Sequence, residues 1–203
     1  MTDRIELEKE LAARGIFPVC GCDEAGAGPL AGPVYAGAVI LPPDLEIPGL
    51  DDSKKLTEKK REALYDIITQ QAVAWAVASV SPEEIDATNI LKARLKAMDL
   101  AIRALDVVPV YALIDGNQNC GISIPNETVV HGDSRVASIA AASILAKVTR
   151  DRLMSEYDKK YPQYGFAQHK GYGTKPHYDA LRRVGPCEIH RLSFLKKFYA
   201  PEK

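Results

Sequence analysis

No stretch of the chain approaches the roughly 18 consecutive uncharged apolar residues that a bilayer-spanning helix needs, so no membrane association is expected. The opening residues, Met1-Thr2-Asp3-Arg4-Ile5-Glu6, lack the basic-then-apolar order of a secretory signal, which makes a cytoplasmic address the expectation. Internal repeats and long linkers are also missing, leaving a single unit over residues 1–203. Cysteine is scarce, and the four present are poorly placed for a zinc ribbon: Cys20-Gly21-Cys22 is a CxC pair, while Cys120 and Cys187 have no local partner. Alternate side chains of a strand share a face without converging, so Cys20 and Cys22 should not bridge. Buried free thiols are the simpler reading. A large charge of one sign is absent too, with 26 Lys and Arg against 27 Asp and Glu. That balance argues against a sequence-independent coat for nucleic acid.

The balance hides an asymmetry. From Lys147 onward thirteen Lys or Arg face six Asp or Glu, and the preceding part is correspondingly acidic. A basic C-terminal third beside an acidic body could form a track for a polyanion, with the acids turned toward a metal. A helical tail with a solvated basic face would look the same by charge alone. With 46% apolar residues the chain can build one substantial core.

Apolar periodicity predicts helices over 4–13, from an N-cap at Thr57, from Ser81-Pro82, from an N-cap at Asn89 to about 105, from Ser134 to about 157, and over 176–184. Leu91, Leu95, Met98 and Ile102 are expected on one buried stripe. Short apolar runs predict strands at 19–22, 34–41, 72–80, 110–115 and 128–130. Residues 25–33 hold too much glycine and proline for helix or strand, and 162–173 read as a loop. Strands interleaved with helices imply an α/β layered architecture.

Four acids stand out against this frame. Asp23 and Glu24 close the first apolar strand and Asp115 closes another, while Asp133 follows Gly132 just before the long helical pattern. Strand-end acids are how an α/β protein builds a carboxylate cluster in the crevice beyond its strands. Adjacent strand residues point to opposite faces, so Asp23 and Glu24 would need a twist or bulge to serve one centre. Such a cluster repels itself unless a cation sits in it, and Mg2+ prefers oxygen ligands. The bland alternatives are a helix cap for Asp133 and an Asx turn for Asp115.

The segment Cys22-Asp23-Glu24-Ala25-Gly26-Ala27-Gly28-Pro29-Leu30-Ala31-Gly32-Pro33-Val34 closely resembles the opening motif of ribonuclease HII. Asp51-Asp52-Ser53-Lys54-Lys55-Leu56-Thr57, Leu113-Ile114-Asp115-Gly116-Asn117 and Gly132-Asp133-Ser134 resemble later motifs of that family. So do the run from Ile139 to Asp151, Tyr164-Gly165-Phe166, His169-Lys170-Gly171-Tyr172 and His190-Arg191-Leu192-Ser193-Phe194. The blocks follow family order over nearly the whole chain. The resemblance implies an RNase H-like α/β fold: a central mixed sheet flanked by helices, with a small C-terminal helical element over about 174–203 on the substrate side. It implies a divalent-metal-dependent endoribonuclease using Mg2+ or Mn2+, acting on RNA–DNA hybrids or on duplex DNA containing ribonucleotides; the single-domain design needs no partner, so a monomer is expected. Cleavage on the 5′ side of the ribonucleotide would leave 3′-hydroxyl and 5′-phosphate ends.

By the same resemblance Asp23, Glu24, Asp115 and Asp133 are the catalytic metal ligands. Gly26, Ala27 and Gly28 form the turn that approaches the 2′-hydroxyl, and Tyr172 packs by the ribonucleotide–deoxynucleotide junction. Ser53 and Lys54, with His169, Lys170 and Arg191, are the remaining substrate-side candidates. Each of these lysines alone is more often a solvated surface residue, and Lys147 could face the acids or solvent. Two departures stand out. The family turn usually reads Gly-Arg-Gly, whereas Ala27 sits here between the glycines, which removes an arginine fork for phosphate. His131 stands where lysine is common. The first departure raises an alternative: a binder of ribonucleotide-containing duplex with weakened or lost turnover.

Overall fold

In the computed structural model, which describes residues 4–119 and 121–200, five strands form one mixed sheet. They are β1 (Val19–Ala25), β2 (Val34–Ile40), β3 (Ala74–Val80), β4 (Tyr111–Asp115) and β5 (Asn126–Val129), in spatial order β3-β2-β1-β4-β5. Strands β1 to β3 are antiparallel neighbours, whereas β4 and β5 join parallel to β1. The helices are α1 (Glu6–Ala13), α2 (Glu58–Gln71), α3 (Pro82–Ala87), α4 (Ile90–Arg103), α5 (Ala137–Lys160), α6 (Phe166–His169), α7 (Lys175–Val184) and α8 (Leu192–Leu195).

Alternation along the strands separates two layers. Cys20, Cys22, Val34, Ala36, Ala38, Ala112 and Ile114 pack on one side against Ala93, Ala97, Met98 and Ala101 of α4. On the other side, Val39 meets a cluster built from Leu64 and Ile68 of α2 and Ala140, Ala141, Ile144 and Leu145 of α5. Helix α5 lies so close to the sheet that its backbone occupies the space of two missing side chains. A Cβ on Gly21 would stand 2.3 Å from Ile139 N, and one on Gly37 would stand 2.5 Å from Ala142 O. A third cluster joins Leu30, Ala31 and Met154 to Tyr164, Phe166, Leu181, Ile189 and Leu195, tying the C-terminal helices to the segment after β1.

The expected caps are present. Thr57 Oγ1 accepts from Lys60 N, Ser81 Oγ from Glu84 N with Pro82 in the first turn, and Asn89 Oδ1 from Lys92 N. Several boundaries differ. The long helix begins at Ala137 after a separate 3-10 turn over Gly132–Ser134, and Asp133 caps nothing, since Val136 holds the N-cap position. The expected loop over 162–173 contains α6. Leu91 is 43% exposed because α4 turns its alanines, Ala93, Ala97 and Ala101, onto the sheet; Leu95, Met98 and Ile102 are buried as expected. Cys20 and Cys22 are buried free thiols, Cys187 is a half-buried one, and Cys120 lies outside the described residues. No described helix is long and apolar enough to cross a membrane.

Candidate active site

Register places the first two acids. The parallel β1–β4 ladder ends with Cys22 opposite Ile114, so the next residue on each strand is Asp23 and Asp115 respectively. Both follow the alternation onto the α5 side of the sheet, at the carboxyl ends of parallel strands where such sheets open a crevice. Strand β5 pairs Val129 with Asp115 and delivers the turn holding Asp133 to the same edge. Asp115 makes no local Asx turn. Its Oδ1 accepts from Gly132 N at 2.7 Å and Asp133 N at 3.4 Å, which locks the two carboxylate-bearing segments together.

Glu24 is placed differently from the expectation. The ladder to β2 runs unbroken through Asp23 opposite Gly37 and Glu24 opposite Ala36, with no bulge to swing the two side chains together. Glu24 therefore emerges on the α4 side, where Arg94 Nη1 lies 3.3 Å from its Oε1 and its Oε2 is buried without a partner. Lys54 Nζ lies 3.4 Å from Asp133 Oδ2 on the other side. Among the described residues, no three His, Cys, Asp or Glu side chains converge into a ready-made metal cage.

The electrostatics bear the mark of crowded carboxylates. Burial, then the charges of Glu24 and Asp115, hold Asp23 well above the ordinary carboxylate range. Glu24 is raised by burial and by Asp115, although Arg94 opposes this, and Asp115 is raised by burial and by Asp133. For Lys54 burial is the largest influence and works downward, yet Asp23, Asp133 and Asp52 together raise it. Raised carboxyls with an unpartnered buried oxygen fit a site that needs an oxygen-preferring cation to become comfortable.

The glycine turn beside the acids is held from behind by two buried arginines with no carboxylate partner. Arg191 donates to Gly26 O at 2.6 Å, Ala27 O at 3.0 Å and Gly32 O at 2.9 Å. Arg150 donates to Ala31 O at 3.0 Å, Pro33 O at 3.1 Å and Lys170 O at 2.9 Å. Burial, then the neighbouring Arg150, pushes Arg191 down to about 9. Gly26 has a φ of +90°, and a Cβ there would stand 2.1 Å from Arg150 Nε, so conformation and space both demand glycine.

Tyr172 is exposed beside this turn, with its Cε1 3.6 Å from where a Gly28 Cβ would stand. Its carbonyl accepts from His177 Nδ1 at 2.9 Å. Two expected substrate-side residues stand elsewhere. Arg191 is fully buried and spent on the turn. His169 is buried, bonded through Nε2 to Tyr164 O and through Nδ1 to Gly171 N. Lys170 reaches Ser155 Oγ at 3.1 Å, and Ser53 is buried with its carbonyl on Arg61. Lys147 faces neither the acids nor open solvent, since it pairs with Asp151 at 2.6 Å. Sequence reasoning missed Arg94, Arg150, His177 and His190. A signal existed for Arg150, which stands four residues after Ala146 and four before Met154, on the buried face of α5.

A mixed five-stranded sheet in this order, with acids at its parallel strand ends, defines the class: an RNase H-like fold. The structure of ribonuclease H2 from Pyrococcus horikoshii OT3 matches with a TM-score of 0.70 and 27% identity, over 86% of this chain and 92% of that one. RNase HII in the PCNA:RNase HII complex from Archaeoglobus fulgidus shares the fold at a TM-score of 0.73 and 24% identity, over 92% and 98% of the two chains. A family model described as Ribonuclease HII matches residues 20–197. The Ribonuclease HII of Acetivibrio thermocellus is 54% identical over 94% of this chain and 75% of its own length. That of Burkholderia cenocepacia is 57% identical over 87% and 82%. The chain belongs to the ribonuclease HII family of metal-dependent endoribonucleases.

Proposed function

We propose that this chain hydrolyses the phosphodiester on the 5′ side of a ribonucleotide, in duplex DNA or in an RNA–DNA hybrid, leaving 3′-hydroxyl and 5′-phosphate ends. The observation that carries this reading is the register match that puts Asp23 and Asp115 side by side, with Asp133 tied to Asp115. Asp23, Asp115 and Asp133, with Glu24 reaching in from the α4 side, would hold Mg2+ or Mn2+ through their carboxylate oxygens. Two such ions, when bound, supply an activated water and stabilise the leaving oxygen.

The remaining work falls to the chain's own groups. Lys54 neutralises phosphate at the acid edge. With the carbonyls of Gly26 and Ala27 turned inward onto Arg191, the turn leaves its backbone amides to meet a 2′-hydroxyl, the group that tells RNA from DNA. Tyr172 supplies a rigid exposed plane for the sugar of the next nucleotide. Product mapping on a duplex with one ribonucleotide, with and without divalent ion, tests the reading. Cuts at any other bond, or metal-independent cuts, defeat it.

Ala27 favours a second reading, in which the protein binds such duplexes but turns them over weakly. Under that reading Ala27→Arg raises the single-turnover rate at saturating protein. Equal rates in both proteins leave only the first.

A further inference from the structure

Arg94 is the one guanidinium that α4 brings to the acid edge. Its neighbours Ala93 and Ala97 are fully packed on the sheet, while Arg94 itself keeps 22% of its side chain exposed. It is underused where it lies. Nη1 stands 3.3 Å from Glu24 Oε1, Nε is buried without a partner, and Nη2 rests in the space left by the missing side chain of Gly116, 3.2 Å from where its Cβ would be. An arginine carries five N–H donors in a rigid fork suited to carboxylate or phosphate, and an unpaired buried N–H favours any pose that gives it an acceptor.

Glu24 and Ala27 are three residues apart, so Arg94 borders the same short segment from which the usual motif arginine is missing. The buried arginines behind the turn cannot replace that arginine, because all their assigned bonds go to main-chain carbonyls. Lys54 is a point charge on the opposite side of the acid edge, at Asp133. We propose that Arg94 is this chain's phosphate-gripping arginine, supplying from α4 the fork that Ala27 cannot supply from the turn.

This rests on the function proposed above, and it separates from a simpler role for Arg94 as a counter-charge to Glu24. A counter-charge is served equally by lysine, whereas a fork is not.

The test measures binding of a duplex with one ribonucleotide, in chelator and in calcium, for the parent, Arg94→Lys, Arg94→Ala, Ala27→Arg and Arg94→Ala/Ala27→Arg. Alanine and lysine are both good helix formers, so α4 should survive each change, with melting temperature as the check. Both Arg94 single variants are expected to bind about tenfold more weakly, in line with a lost charge-assisted fork. The slope of log K against log salt should shrink by about 0.9 in Arg94→Ala. Adding Ala27→Arg should restore most of the loss in that background and improve the parent less. Parent-like binding by Arg94→Lys, an unchanged salt slope in Arg94→Ala, or strictly additive effects would overturn the role of Arg94 alone. Failure of the parent to bind the duplex under either condition would instead overturn the function itself.

Discussion

His177 Nε2 lies 3.0 Å from His190 Nε2, and with both rings neutral this contact orders the protons in a chain of bonds that starts at the Tyr172 carbonyl. Because Tyr172 O can only accept, His177 Nδ1 carries the hydrogen, so His177 Nε2 must accept from His190 Nε2–H. His190 Nδ1 is then the acceptor for Cys187 N at 2.9 Å. Both rings are neutral in this arrangement, and burial pushes each down to about 4. The folded values lie below the unfolded value of about 6.5, so the unfolded chain takes up protons first as pH falls. Their contribution to stability is complete above about pH 6.5 and is lost progressively toward pH 4. Melting temperature should therefore drop more steeply over that window in the parent than in His190→Gln, which retains an Nε donor for His177. Parallel curves would refute the neutral chain.

Arg191→Ala strips donors from the carbonyls of Gly26, Ala27 and Gly32. At about 1–3 kcal/mol for each buried group left unpaired, the fold should lose at least about 3 kcal/mol. Arg191→Lys keeps a charge but not the fork and should recover little of it. Urea midpoints measure both. Near-parental stability in the lysine variant would mean that charge, not geometry, holds the turn.

Gly21→Ala and Gly37→Ala test the approach of α5 to the sheet. Each added Cβ would meet main-chain atoms within 2.5 Å, which no side-chain rotation can relieve. Each should cost about 1–3 kcal/mol or more by overpacking. Gly49→Ala is the comparison for strain without crowding, since Gly49 has a φ of +80° with nothing within 4 Å. Equal losses at all three positions would remove the packing argument.

Asp115→Asn keeps an oxygen acceptor for Gly132 N while removing one of the crowded charges. Because Asp23, Glu24 and Asp115 are raised above their unfolded values, their ionised forms strain the fold, and that strain grows as pH rises through the folded values. The variant should melt higher than the parent at neutral pH without divalent ion, and should cleave more than about a hundredfold more slowly. Added Mg2+ should raise the parent's melting temperature more than the variant's. A lower melting temperature in Asp115→Asn would show that its hydrogen bonds outweigh the repulsion.

What was legible in the sequence was local. Thr57, Ser81 and Asn89 announce their helices because a cap is a contact over three residues. The acids were singled out by the family motifs, and the strands bearing Asp23 and Asp115 were legible through their apolar runs. Their side-by-side placement was not, since pairing Cys22 with Ile114 joins residues distant in the chain. The same limit explains Arg191. A cation in a polar, loop-like stretch looks solvent-facing until the turn it supports, more than a hundred residues away, is folded against it. Arg94 meets Glu24 from a different element, a contact that no spacing rule reveals.

The arginine behind the glycine turn also sets a schedule. Gly26, in the turn, is made 165 residues before Arg191, the side chain that holds it. A nascent chain can pair β1 with β2 early and still lack the support that this glycine turn receives from Arg191. Support of the turn is thereby deferred until Arg191 has been made, so a chain cut short before that residue would present the acids beside an unheld turn.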